Sequence, residues 1–118
     1  MRKKTTKIGN INITTEAIAS LTGELVSECY GVVGMASKHL IKDSVAVMLR
    51  KDNYSKGVVV RHSNDGIELD IYVIILYGVK IMEVVNEVQK KVKYELENMF
   101  DMQFTSINIY VQGIKVID

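Results

Sequence analysis

The stretch "VVVRHSNDGIELDIYVIILYG", Val58–Gly78, decides the fold. Two apolar runs flank Asn64-Asp65-Gly66, a strong hairpin signal. A two-residue Asp65-Gly66 loop pairs Asn64 with Ile67. His62 then lies opposite Leu69, Val60 opposite Ile71 and Val58 opposite Val73. These apolar partners share one face. On the other face Arg61 meets Asp70, an opposite-charge cross-strand pair. A one-residue slip would destroy both matches. From Ile67 to Ile71 the second strand alternates cleanly, and then its polar side disappears. Tyr72, Ile74 and Leu76 occupy the face that should meet water. Val59 and Tyr110 share that parity, so the five residues make a candidate protein interface. Left wet they would form an unusual apolar patch. A second subunit or a partner is the favoured cover. The alternative cover is the segment Ser37–Lys51 folding across.

Outward from the hairpin, "GNINI" at Gly9–Ile13 alternates and predicts a short strand. "TTEAIASLTGELVSECYG" predicts a helix with Thr14 as N-cap and Glu16 in the first turn. Ile18, Leu21, Leu25 and Cys29 fall on one face, and Gly31 supplies the stop. "GVVGMAS" reads as a connector. "KHLIKDSVAVMLRKD" gives a weak second helix, and "NYSKG" a turn. A long helix follows from about Ile81 to Phe100, with an apolar stripe of Ile81, Val85, Val88, Val92, Leu96 and Met99. Glu87 and Lys91 form an i,i+4 pair on its wet side. "FTSINIYVQGI" closes the chain as a strand with Ile107, Ile109 and Val111 inward. The order is β-α-(α)-β-β-α-β. The expected class is α+β: a two-layer sandwich of a mostly antiparallel four-stranded sheet with helices on one face.

The chain has 118 residues, 47% hydrophobic and 25% charged, which suits one globular domain over residues 1–118. The lone Cys29 cannot form an internal disulfide, in keeping with a reducing cytoplasm. No apolar run reaches the roughly 18 residues of a membrane span. The basic start leads into no apolar segment of a secretory signal. Arg2, Lys3, Lys4 and Lys7 put four positive charges into residues 1–7, leaving a net −3 elsewhere. This arm reads as a solvated terminus, or as an electrostatic tether to anionic lipid or nucleic acid.

Chemical motifs are sparse. Cys29 sits on the apolar helix face, where a thiol acts as a small hydrophobe. His39 and His62 lack second ligands at metal spacing. Glu24 and Glu28 are i,i+4 carboxylates on a charged face. There is no phosphate loop, so neither a catalytic site nor a cofactor is expected. Gly31–Gly34, "GVVG", raises a nucleic-acid reading, because a GxxG loop between helices clamps a backbone in some RNA-binding modules. Val32 and Val33 at its centre are apolar, so this reading ranks below a structural turn.

Three stretches together, "NINITTEAIASLTGELVSECYGVVGMA", "LDIYVIILYGVKIMEVVNEVQKKVKYELENM" and "INIYVQGI", resemble the alkaline-shock protein family of Gram-positive envelope stress response proteins. The short form suggests its YloU-like branch. The chain departs from the family pattern at Tyr30, at Thr15, and at Lys80 and Met82, where the second helix loses a good side-chain cap. The resemblance implies a small non-catalytic cytoplasmic protein linked to envelope homeostasis. It would self-associate or dock on a protein partner through its sheet, and reach the membrane through that partner. It carries over no catalytic residues. A module that binds RNA through the basic arm and Gly31–Gly34 is the alternative.

Overall fold

The computed structural model describes residues 8–42 and 45–117, with side chains described for 14–38 and 48–117. The order is α1 (Ile8–Ser27), β1 (Val32–Lys42), β2 (Val45–Met48), a 3-10 turn (Lys51–Gly57), β3 (Val58–Ser63), β4 (Gly66–Leu76), α2 (Ile81–Met99) and β5 (Phe104–Lys115).

β4 organises the sheet. β5 pairs with it in parallel from Ile67 to Leu76 and takes one whole edge. β3 and β1 must therefore share the other edge. β3 lies antiparallel along Gly66–Ile71, and β1 antiparallel along Val73–Ile75. The chain leaves this edge near Ala36, makes the β1–β2 hairpin and the 3-10 turn, and returns at Gly57. The return is tight: a Cβ on Gly57 would lie 2.9 Å from the Ala36 carbonyl oxygen.

Alternate β4 residues, Ile67, Leu69, Ile71, Val73 and Ile75, join the core with Val58, Phe104 and Ile107. Helix α2 brings Val84, Val88, Val92 and Leu96 to it. Helix α1 brings Ile18, Ala19 and Val26. Both helices thus cover one face, and the α+β two-layer class holds. Each fully buried aliphatic contributes roughly 1.5–3 kcal/mol.

Several local readings change. Gly9–Ile13 is helical, and α1 starts at Ile8, so Thr14 is interior rather than a cap. Five alternating residues are too few to tell the two periods apart: Ile8, Ile11 and Ile18 also suit helical spacing. The buried stripe of α1 is rotated from the expected one, with Leu21, Leu25 and Cys29 at its margin. Tyr54 from the 3-10 turn packs on Gly23, covering a flank that alternation could not foresee. β1 and β2 pair antiparallel where a connector and a helix were expected. Their β-branched valines and poor helical period agree with that.

The β3–β4 register lies two residues from the expected one: Val58 pairs with Ile71, Val60 with Leu69, and His62 with Ile67. The loop is Asn64-Asp65. Gly66 takes φ 145, which side-chain-bearing residues rarely adopt. A Cβ there would also collide with the Gln103 carbonyl oxygen, which accepts a bond from the Ile67 N–H at 2.9 Å. The root of β5 therefore requires glycine at this point. A two-residue slip keeps every residue on its face, so the core assignment survived.

In α2 the centre of the stripe is buried as expected. Val84 lies deeper than Val85, while Ile81 and Met99 are exposed. Lys91 reaches Glu28, just past the end of α1, at 3.4 Å instead of pairing with Glu87. Lys80 makes no side-chain cap bond.

Candidate interaction surface

The face of β4 opposite the helices carries Glu68, Asp70, Tyr72, Ile74 and Leu76. At one end lies a polar rib across three strands. Arg61 of β3 donates to Glu68 at 2.7 Å and to Asp70 at 2.8 Å. Asn108 of β5 donates to the same Asp70 oxygen at 3.0 Å. Arg61 stands directly opposite Glu68, so its contact with Asp70 is diagonal. Burial pushes the Asp70 carboxyl up. The bonds from Asn108 and Arg61, and the charges of Arg61 and Lys38, outweigh burial and hold it below the usual carboxylate range. The bond to Asp70 is the main reason the Arg61 guanidinium is pushed up.

Next to the rib, Tyr72 stacks on Tyr110 with ring centroids 4.9 Å apart and planes 15° apart. The stack follows from register, since the two pair directly in the parallel ladder. Tyr72 is 6% exposed and Tyr110 44%. Burial, then the nearby Asp70 charge, push the Tyr72 phenol up.

Ile74, also buried, faces Gly34 of β1 and Gly113 of β5. The Met48 side chain lies where a Cβ on Gly34 would sit. Its Sδ is 3.8 Å from Lys115 Nζ. Gly34 and Lys115 lie on opposite edges of β4, so Met48 crosses the sheet above Ile74 and Leu76. The segment Ser37–Lys51 thus supplies part of the cover. The five candidate interface residues share one face but differ in access: Tyr72 and Ile74 are closed within the chain, Val59 and Leu76 are half-buried, and Tyr110 is open. Sequence reasoning missed Met48, because its cover depends on a hairpin read as a helix. Parity also assigned Val111 of β5 to the core, and it is exposed.

The other candidates separate. Val32 and Gly34 lie buried at the start of β1, so Gly31–Gly34 is not an open loop between helices. Gly31, at φ 87, is packed under Val84. That removes the clamp on which the nucleic-acid reading relied. The basic arm, Arg2 to Lys7, lies outside the described residues, as does the His39 side chain. His62 is exposed and hydrogen-bonded to Thr15 Oγ1 at 2.8 Å. Cys29 donates weakly to the Leu25 carbonyl at 3.5 Å. It lines a cleft of about 300 Å³ with Glu28, Glu83, Glu87, Lys80 and Lys91. Burial pushes its thiol up, against the lowering effect of Lys91, so thiolate chemistry is disfavoured. Glu24 and Glu28 are both exposed. Among the described residues no group of three or more His, Cys, Asp or Glu side chains is placed to hold a metal ion.

The profile of the alkaline-shock protein family, described by its cell envelope-related function, matches residues 3–116. The chain belongs to the alkaline-shock protein family. It is 49% identical over 111 residues to "Uncharacterized protein YloU" of Bacillus subtilis (strain 168), covering 94% of this chain and 92% of that protein. It is 46% identical over 115 residues to "Uncharacterized protein Spy1614" of Streptococcus pyogenes serotype M6, covering 98% and 95%. A further Bacillus subtilis relative, "Uncharacterized protein YqhY", is 33% identical over 98% of this chain and 84% of its own length. No solved structure matches the chain. Membership agrees with the resemblance carried by the three stretches and supports an envelope-related role. No described helix is long and apolar enough to cross a membrane.

Proposed function

We propose that this chain is a non-catalytic interaction protein of cell-envelope homeostasis, working in the cytoplasm and docking a protein partner through the open face of its sheet. The observation that carries this is the exposed Tyr110, stacked on a buried tyrosine and flanked by the polar rib and by half-buried Val59 and Leu76. A tyrosine held rigid by stacking presents area and a hydroxyl at low entropic cost, the character of an interface anchor. The family's envelope-related description supplies the process. Any membrane contact would run through the partner.

Complementation tests this. A host deleted for the chain is challenged with envelope stress and given wild type, Tyr110→Glu or Val59→Lys. Both variants should fold, with near-native circular dichroism, and fail to restore growth. Full rescue by both folded variants would remove this face from the function.

A further inference from the structure

Ile74 is covered from outside the sheet. Its ladder partners on both sides are glycines, Gly34 of β1 and Gly113 of β5. Neither has a side chain to shield it, yet Ile74 is only 4% exposed. Among the described residues, Met48 fills this notch. Its methyl lies where a Cβ on Gly34 would sit, and its Sδ is 3.7 Å from that position. The Met48 backbone is held by β1: Ala36 stands opposite it, and the Leu49 N–H donates to the Met35 carbonyl at 2.7 Å. The side chain can therefore leave the notch while the β1–β2 pairing stays intact. Met48 is itself 36% exposed, and Lys115 Nζ stands 3.8 Å from its sulfur. A flexible thioether thus separates solvent from the apolar centre of the open face.

We infer that Met48 is an oxidation site, and that its conversion to the sulfoxide uncovers Ile74. The inference rests on the reading of this face as a docking surface and adds its regulation. The oxidant is a hydroperoxide. The Sδ lone pair attacks one peroxide oxygen, an S–O bond forms and the O–O bond breaks. The second oxygen departs as hydroxide, steadied by the Lys115 ammonium, and takes up the proton shed by the first. The thioether gives two electrons and the peroxide is reduced to water or an alcohol. The product is a polar group in an apolar notch. The Ile74 and Leu76 side chains offer it no donor, and an unpaired polar group is costly to bury. Water and Lys115 lie on the outer side. The oxygen turns toward them, the methyl is drawn off Gly34, and the surface of Ile74 joins that of Leu76 and Tyr110. Met82, Met99 and Met102 are also exposed, but they lie on α2 or in the loop after it and cover nothing on this face. Met35 is fully buried.

Dilute hydrogen peroxide on the folded full chain tests this, in a background of Met82→Leu, Met99→Leu and Met102→Leu. Peptide mass spectrometry should find one added oxygen on Met48 and none on Met35. Binding of an apolar fluorescent dye should rise several-fold with near-native circular dichroism, and fall back after treatment with a methionine sulfoxide reductase. Met48→Leu fills the notch without a sulfur and should leave dye binding flat at the same dose. A thiol probe gives a second measurement without peroxide. Ile74→Cys in a Cys29→Ser background should label slowly with Met48 in place, and several times faster with Met48→Gln as a polar stand-in for the sulfoxide. Met48 that resists peroxide until the chain unfolds overturns the inference. So does dye binding that rises equally in Met48→Leu, or Ile74→Cys labelling that Met48→Gln leaves unchanged. A notch that opens on oxidation while Tyr110→Glu and Val59→Lys complement fully would keep the oxidation site and remove the docking reading. A notch that stays shut while those two variants fail to complement would do the reverse.

Discussion

The two edges of the sheet are built differently. β3 is six residues long and carries Arg61 and His62. Its charge is tied down at Glu68 and Asp70, and His62 is bonded to Thr15 on α1. A foreign strand would meet charge along a short, partly covered edge. β5 is twice as long and uncharged between Asp101 and Lys115. Both edges flank the same β4, so burial by the core does not explain the difference. The β5 edge is guarded differently: Glu97 and Gln89 of α2 bond its Phe104 N–H and Ile107 carbonyl, while Tyr110, Val111 and Ile114 beyond them are exposed.

The comparison breaks most visibly at the roots of the two strands. Phe104, fully buried, anchors β5 beneath α2, while Val58 anchors β3. Phe104→Ala should cost about 3–5 kcal/mol and Val58→Ala about half that, as lost transfer energy plus cavity. Urea unfolding measures both. Equal losses would mean that β5 depends on its root no more than β3 does, and its long outer half would then need another source of order.

The strand pairing of β3 and β4 was legible because two signals coincided, the apolar face and Arg61 with Asp70. The turn was not, since Asn64-Asp65 and Asp65-Gly66 preserve the same parity. What selects between them is Gln103, far along the chain from Gly66, pressing on the glycine. The parallel pairing of β5 was equally hidden, because alternation gives a strand's faces and not its neighbour. At the candidate surface, parity put Tyr72 and Tyr110 on one face correctly. It could not show that Tyr110 and Met48 close over Tyr72 and Ile74. The short "GNINI" run and the segment Ser37–Lys51 failed for a shared reason: short apolar runs carry too few residues to fix a period, and tertiary packing decides them.

A smaller effect sharpens the contrast, because Asp70 holds both edges at once through Arg61 and Asn108. Asp70→Ala should cost about 2 kcal/mol, in the range for hydrogen bonds to a charged group. Asn108→Ala should cost more than Arg61→Ala, since Arg61 is half-exposed and regains water. The pH dependence follows from the carboxyl being held below its unfolded value of about 3.9. The unfolded chain binds the proton first, so the advantage of wild type over Asp70→Ala is full above that value. It is lost as pH falls through the folded one. Chemical unfolding between pH 3 and 7 measures it. A constant difference across that range would mean that Asp70 contributes by packing rather than charge.

The smallest effect belongs to the open end of β5. Tyr110→Leu keeps an apolar side chain at the edge but removes the ring that covers Tyr72. The loss should be about 1 kcal/mol, the worth of a stacked pair beyond its area. A second readout separates stacking from general loosening. Burial raises the Tyr72 phenol in the folded chain, with the Asp70 charge adding to it. The unfolded chain therefore ionises first as pH rises through about 10, and wild-type stability should fall across that range. In Tyr110→Leu the Tyr72 ring gains water, its titration moves down toward the ordinary value, and the alkaline loss of stability becomes shallower. Phenolate absorbance followed during an alkaline titration, beside urea midpoints at each pH, gives both quantities. If Tyr72 titrates unchanged while stability drops, Tyr110 supports the strand without shielding its neighbour, and the open half of β5 is held by the β4 ladder alone.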